Sequence, residues 1–561
     1  MRKTLQLMAV ICLLCSSAAE AVMTGYAQVT ADGRAAVATV QPRATDAAMA
    51  VLAEGGNAVD AAVAAALALG VVDGHNSGIG GGCFALVHWA DGTIEALDGR
   101  ETAPMLASRD MYVVDGKLNR ELSRTGALAS GIPGSVAVYD YMLKKGGALK
   151  REAVYQPAIT LAEQGFAIDQ IYADRLARNR DLLARFAGTA KVLLDEKGQP
   201  WPAGHTLLQR DLAATYRQLA KKGADYFYQG ELAERVGEWM QANAGLIRKS
   251  DFARYTMLKR APVRSSYRGY EVLGFGPPSS GGVHVAQILN ILQSFDLAEL
   301  SELQRYHVTA EAMKLAFADR AFWLGDPAFA PVPKNLISDE YAQKLWQKIA
   351  LDKTNHEFEH GTPADADTNL FDKHTTHIAV ADKAGNWVAI TTTVNTDFGS
   401  KVIIPGTGMV LNNQMDDFSS QPGVPNVYGL VGSEANSIAP GKRPLSSMSP
   451  TLLLKDGKPV MTLGAAGGPT IITQVVQALI NTIDLQLPLA QALSAPRIHH
   501  QWRPDALYLE KTAAPALREG LQGLGHTLKE LGPYGSTQAI AKTKAGFVAV
   551  SEPRLEQRNR H

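Results

Sequence analysis

The sequence has no excess of charge of either sign. Among 561 residues, 55 Lys and Arg balance 55 Asp and Glu, so the formal net charge is zero. That balance argues against a nucleic-acid or other polyanionic partner. Cysteine is equally scarce, at three residues. Cys12 and Cys15 fall in an N-terminal leader, which leaves Cys83 alone in the remaining chain and excludes an intrachain disulfide there. Cys83 lies among glycines and apolar residues, the setting of a small buried side chain rather than a nucleophile. The apolar run from Leu5 to Leu14 is too short to span a membrane. There is no internal repeat and no metal-ligand spacing. The adjacent pair His499-His500 would point its rings apart in a strand or helix, which makes it a poor metal site. The glycine cluster Ser77-Gly78-Ile79-Gly80-Gly81-Gly82 lacks the Lys-Ser/Thr that completes a phosphate loop, so close backbone packing is its expected role. No motif calls for a cofactor, and none is expected.

The leader itself is informative. Met1-Arg2-Lys3-Thr4 is basic, the apolar run follows, and Ala19-Glu20-Ala21 closes the segment. This is the pattern of a secretory signal peptide, residues 1–21, cut after Ala21. Cys15 raises the alternative of a lipoprotein, but Leu14 is bulky where that processing wants a small residue. A periplasmic or secreted product is expected, and 561 residues suffice for a large core.

Along the chain, Ala44 to Leu52 and Ala58 to Leu69 read as Ala-rich helices stopped by Gly55-Gly56 and Gly70. Strands are expected at Phe84 to Trp89 and Ile94 to Asp98, joined at Asp91-Gly92. From Pro133 to Ala350 the apolar spacing of three and four predicts mostly helices, among them Ala310 to Trp323, with one strand at Tyr267 to Phe275. After Thr375 the reading turns to strands: Thr376–Ala381, Trp387–Val394, Gly408–Asn412, Thr451–Leu454 and Val460–Leu463, with a hairpin turn at Asp456-Gly457. Helices Ile471 to Ile483 and Leu489 to Ser494 follow, then short strands to the end. Two antiparallel sheets between helix layers account for this order, as one intertwined α+β globule.

The stretch around Thr375 organises the rest. A long polar segment, Asp352 to Lys373, ends at His374-Thr375-Thr376-His377, where the strand pattern begins. A hydroxyl residue at such a junction is where self-cleavage could place a new N-terminus. The Thr375 hydroxyl would then attack while its own α-amine, titrating near pH ~8, takes the proton. Polar clusters follow where strands should end. Gly467-Gly468 precedes a helix and could turn backbone N–H groups onto an oxyanion. Asp417, Gln414 and Asn395 offer acceptors for an ammonium group; Ser446, Ser447 and Arg100 offer donors for a carboxylate. Together they would hold the zwitterionic end of an amino acid.

These motifs closely resemble the γ-glutamyltransferase (γ-glutamyltranspeptidase) family of N-terminal nucleophile hydrolases. The resemblance rests on Thr375-Thr376-His377, Thr393-Val394-Asn395, Asn412-Asn413-Gln414-Met415-Asp416-Asp417-Phe418, Pro444-Leu445-Ser446-Ser447-Met448-Ser449-Pro450, Gly467-Gly468 and Asp98-Gly99-Arg100-Glu101. It implies a four-layer αββα sandwich, made as a precursor that cuts itself between His374 and Thr375 into a large subunit, 22–374, and a small one, 375–561. It further implies Thr375 as nucleophile, Thr393 as its supporting hydroxyl, and Gly467 and Gly468 as oxyanion-hole amides. Arg100, Ser446 and Ser447 would take the α-carboxylate, and Asn395, Gln414 and Asp417 the α-amine. The loop from Ser420 to Gly429 resembles a lid with Tyr428 as gate. The implied reaction moves a γ-glutamyl group from glutathione or glutamine to water, an amino acid or a peptide. Pro469 and His374 depart from the pattern of close bacterial relatives. Two rivals compete. A cephalosporin or glutaryl acylase on the same fold would leave Asp417 as a buried carboxylate without an ammonium partner. A secreted binding protein with a dead site would have no need of Thr375, Thr393, Gly467 and Gly468.

Overall fold

In the computed structural model, which describes residues 26–357, 375–532 and 535–558, the strand expected after Thr375 lies near the middle of a sheet. The signal peptide and His374 fall outside the described residues. In chain order the strands of the two main sheets are Ala27–Val29 (β1), Ala35–Ala38 (β2), Gly82–His88 (β3), Ile94–Gly99 (β4), Leu258–Arg260 (β5), Val263–Tyr267 (β6), Tyr270–Gly274 (β7), Thr376–Asp382 (β8), Trp387–Thr393 (β9), Thr451–Lys455 (β10), Lys458–Gly464 (β11), Gln538–Thr543 (β12) and Gly546–Ser551 (β13). One sheet has the order β1-β2-β8-β9-β3-β4-β5, the other β6-β7-β10-β11-β12-β13, and every pairing in both is antiparallel. Each sheet therefore draws strands from before and after Thr375, as the intertwined reading requires.

Strand alternation sorts the side chains into layers. Ile378 and Val380 of β8, with Val388 and Ile390 of β9, face outward into a core shared with helices Pro42–Ala53 (α1) and Ala58–Val72 (α2). Ala379, Ala381, Ala389, Ala36 and Ala38 face inward, where they meet Leu452, Leu454 and Ile540 of the second sheet. Alanines on that inner face let the two sheets stack closely. The outer face of the second sheet is covered by Gly281–Leu292 (α3), Glu302–Trp323 (α4) and Thr470–Ile483 (α5), through Ile288, Val308, Met313 and Val475. The result is helix, sheet, sheet, helix. Every residue of α2 is buried, and its start is fixed by a capping box between Asn57 and Asp60.

Several expectations change. Gly70 does not stop α2, which runs on to Val72; a Cβ there would meet the Tyr216 hydroxyl at 2.6 Å, so close packing is what the glycine serves. The single strand at Tyr267 to Phe275 is a hairpin, β6 and β7, turning at Arg268 (φ +49°) and Gly269 (φ +77°), with Arg268 held in place by Asp484. The Gly408–Asn412 segment contributes only one bridge, Ile403 with Val410, and no strand. Helix α4 starts eight residues before Ala310, at Glu302, because Ser301 and Gln304 form a capping box. The Asp456-Gly457 turn stands as expected, with φ +50° and +72°, the signs that a type I′ hairpin needs.

Candidate active site

Thr375 lies immediately before β8, and the β8–β9 register sets Thr376 opposite Thr392. The nucleophile candidate is thereby held beside the last residue of β9. The Thr375 Oγ1 donates to Thr393 Oγ1 at 3.3 Å, and Thr393 Oγ1 also accepts from the Asn395 N–H at 2.9 Å. Once Thr375 Oγ1 gives up its proton, the Thr393 hydroxyl, polarised by the Asn395 N–H, can donate its own proton to the negative oxygen.

Asn395 adopts φ +83°. Its side-chain Nδ2 donates to the Asn413 carbonyl at 3.0 Å, while the Tyr428 hydroxyl donates to its Oδ1 at 2.7 Å and its carbonyl at 2.8 Å. Tyr428 is buried, so the loop carrying it closes over the site. The loop is tied down in turn by Asp416, which accepts from the Val427 N–H at 3.0 Å.

Gly467 and Gly468 bridge the end of β11 and the start of α5. Their φ values are +131° and +56°, which a side chain would strain, and a Cβ on Gly468 would sit 2.7 Å from Tyr428 Cδ1. Among the described residues, no acceptor is bonded to either N–H. Pro469, which has no N–H to give, follows them at φ −61°, already set for the helix.

The other end of the same cavity is ionic. Arg100 is fully buried; its Nε donates to the Pro444 carbonyl at 3.0 Å, and its Nη2 to the Leu445 carbonyl at 3.2 Å and to Asp417 Oδ2 at 2.5 Å. Gln414 Nε2 donates to the same Asp417 oxygen at 2.8 Å, while Gln414 Oε1 is buried without a hydrogen-bond partner. Arg100 and Asp417, assigned from sequence to opposite ends of a zwitterion, thus bond each other here. Burial raises the Asp417 carboxyl above its ordinary range, against the pull of Arg100. Glu101, 3.7 Å from Arg100, is pushed up to about 7 by burial. Ser446 Oγ accepts from the Met448 N–H at 3.0 Å, and Ser447 Oγ accepts from Arg320 Nη2 at 3.1 Å.

Arg320 is the residue that sequence reading missed. It occupies the last turn of α4, buried, with Nε donating to Ser280 Oγ at 3.0 Å, and it lines the cavity with Arg100, Thr375, Asp417 and Tyr428. Burial lowers its guanidinium to about 10. The available signal was the charge on α4: Glu311, Lys314, Asp319 and Arg320 interrupt a buried face that is mostly apolar. The cavity holds about 30 Å³, and Tyr428 forms part of its lining. His499 spends its ring nitrogens on Thr473 and Gln501, each at 3.0 Å. The buried group His307, Glu311 and His526 already has a cation: Lys314 Nζ lies 3.0 Å from Glu311.

This constellation can be compared with known proteins. The gamma-glutamyltranspeptidase family model matches residues 44–560. The chain belongs to that family. It is 43% identical over 525 residues to the glutathione hydrolase proenzyme of Escherichia coli (strain K12), covering 92% of this chain and 90% of that protein. It is 39% identical over 507 residues to the Acylase ACY 1 proenzyme of Pseudomonas sp. (strain SE83), covering 88% and 87%. Among solved structures, a cephalosporin acylase from Bacillus halodurans superposes with TM-score 0.83 at 30% identity, over 93% of this chain and 94% of that one. A chain of the Helicobacter pylori gamma-glutamyltranspeptidase superposes with TM-score 0.55 at 42% identity, over 56% of this chain and 91% of that one. The α+β sandwich is therefore the N-terminal nucleophile hydrolase fold, and the protein is an enzyme of a self-processing family. Transpeptidases and acylases share this fold, so the substrate must be argued from the cavity.

Proposed function

We propose that the protein is a γ-glutamyltransferase and glutathione hydrolase that matures by cutting itself between His374 and Thr375. The pieces, 22–374 and 375–561, stay together because both sheets interleave their strands. In the mature site the Thr375 α-amine takes the proton of the Thr375 hydroxyl, which attacks the γ-carbonyl of glutathione or a related γ-glutamyl compound. The Gly467 and Gly468 N–H groups stabilise the oxyanion, and the γ-glutamyl group passes to the Thr375 oxygen as an ester. Water, an amino acid or a peptide then takes it. Secretion to the periplasm or medium follows from the leader.

The observation that carries this reading is the composition of one cavity. Thr375 and Thr393 lie in it with Arg100, Asp417, Gln414, Ser446 and Ser447. A nucleophile faces a site able to take both an ammonium and a carboxylate, which supports an α-amino acid end on the substrate. The acylase reading is favoured by the likeness to the Pseudomonas and Bacillus acylases. Asp417 is already compensated by Arg100, so what stands against the acylase reading is Gln414 Oε1, a buried acceptor without a hydrogen-bond partner beside Asp417, which an ammonium would meet and a glutaryl group would not.

The test has two parts. Purified protein should give two bands on a denaturing gel, the smaller beginning at Thr375, whereas Thr375→Ala should remain one chain. With glutathione, the processed protein should release glutamate, and with a dipeptide added it should form γ-glutamyl-dipeptide. Cleavage of Thr375→Ala at the same bond would overturn the nucleophile; turnover of glutaryl substrates in preference to glutathione would overturn the substrate.

A further inference from the structure

Thr375 lines two cavities that have no other residue in common. One is the substrate cavity. The second, of about 50 Å³, is lined by Asp73, His75, Asn76, Asp169, Arg175 and Ser536 among others. None of these residues has a part in the turnover chemistry derived above, yet they include a buried carboxyl, Asp73, that shares the cavity with Thr375 and is hydrogen-bonded to the next residue, Thr376.

Asp73 follows the last residue of α2 as its C-cap. Its Oδ2 accepts from Thr376 Oγ1 at 2.5 Å, one residue after Thr375, and its Oδ1 accepts from Asn76 Nδ2 at 2.7 Å. His75 Nε2 lies 3.2 Å from the same Oδ1. The other charged and titratable groups facing Asp73 are Asp169, Tyr172 and Arg175, and Arg175 is itself paired with Asp397. Burial raises the Asp73 carboxyl to about 7, against the hydrogen bonds from Thr376 and Asn76, so it can hold a proton near neutrality. Burial and the cations Arg175 and Arg178 hold His75 neutral. With its Nε2–H toward Asp73, the His75 Nδ1 is an acceptor, buried and without a hydrogen-bond partner. A buried lone pair of that kind marks a place built to receive an N–H or O–H. The cavity is polar and roomy enough for a water.

We infer that Asp73 is the acid of self-cleavage, protonating the Thr375 nitrogen as its bond to the His374 carbonyl carbon breaks. The inference rests on the proposed cut before Thr375. An amide nitrogen leaves readily only when a proton reaches it in the transition state. As Thr375 Oγ1 bonds to the carbonyl carbon and the C–N bond breaks, the Asp73 proton passes to the nitrogen, directly or through the Thr376 hydroxyl. The proton released by Oγ1 returns to the Asp73 carboxylate through a water in the cavity. The product is an ester on Oγ1 and a free α-amine. Water then hydrolyses the ester, giving the His374 carboxylate and restoring the Thr375 hydroxyl. No oxidant or cofactor is consumed.

The experiment follows cleavage of the full chain, made by cell-free synthesis with a labelled amino acid and shifted into buffers from about pH 5.5 to 9. The wild-type rate should fall as pH rises through about 7, where Asp73 loses its proton. Asp73→Asn keeps the size and one acceptor; it should cleave at least about thirtyfold more slowly at pH 6, with no falling limb. Asp73→Glu retains an acid and should show a falling limb with a displaced midpoint. A wild-type rate in Asp73→Asn, or a slow rate with an unchanged falling limb, overturns the inference. If thermal unfolding shows Asp73→Asn to be misfolded, Asp73→Glu decides, and an unmoved midpoint overturns it. A wild-type fragment beginning elsewhere than Thr375 would instead overturn the proposed cut itself.

Discussion

Asp417→Asn separates the two enzyme readings. In the closed site the Asp417 carboxylate is shared by Arg100 at 2.5 Å and Gln414 at 2.8 Å, both on Oδ2. An incoming ammonium must take part of that carboxylate while the α-carboxylate takes part of Arg100. Asparagine fills the same space, but one of its two polar atoms is a donor and it carries no charge. The α-ammonium would lose its counter-charge, a cost of roughly 2–4 kcal/mol in the transition state, or a drop in kcat/KM of about thirty- to a thousandfold for γ-glutamyl substrates. A glutaryl group brings no ammonium, so its turnover should suffer less and the ratio of glutaryl to γ-glutamyl activity should rise. Self-cleavage should survive, since Asp417 is not among the groups around Asp73 and Thr376. The assay is steady-state kinetics of both substrates on processed wild type and variant, with gel bands as the check on maturation. An unchanged ratio, with γ-glutamyl activity near wild type, would refute the claim that Asp417 reads the amine.

Two further predictions concern the oxyanion turn and the buried acid beside Arg100. Gly468→Ala forces a side chain onto φ +56° and against Tyr428, so kcat for glutathione should drop at least about tenfold, the positive φ alone costing roughly 1–2 kcal/mol; kcat within twofold of wild type would remove Gly468 from the oxyanion turn. Glu101 has its folded-state pKa raised by burial from 4.5 to about 7, so the stability that its proton contributes is complete below about 4.5 and lost as pH rises through 7. Glu101→Gln should therefore lessen the fall in Tm between pH 5 and 8, and a slope equal to wild type would show that Glu101 does not carry it.

What the sequence determined by itself was local. Alternation in Thr376–Asp382 and Trp387–Thr393, the Asp-Gly turn at 456–457 and the glycine pair ahead of a helix are patterns whose causes span a few residues. The long motifs also carried the family, because each holds several groups of the cavity within one short loop. Where no local cause exists, the reading stopped or erred. The turn at Arg268-Gly269 has the glycine but carries Arg where Asn, Asp or Gly would mark a hairpin, and that Arg is held by Asp484, far along the chain. Only the tertiary packing brings Arg100 to Asp417, 317 positions away, and turns two residues assigned to separate tasks into a bonded pair. Arg320 reads as one more charge near a helix end until packing buries it against Ser447. Asp73 reads as the end of a helix until β8 lays Thr376 upon it from 303 positions away. Hydrogen bonds and pKa shifts depend on distance and burial, and over such separations both are set by how the layers pack.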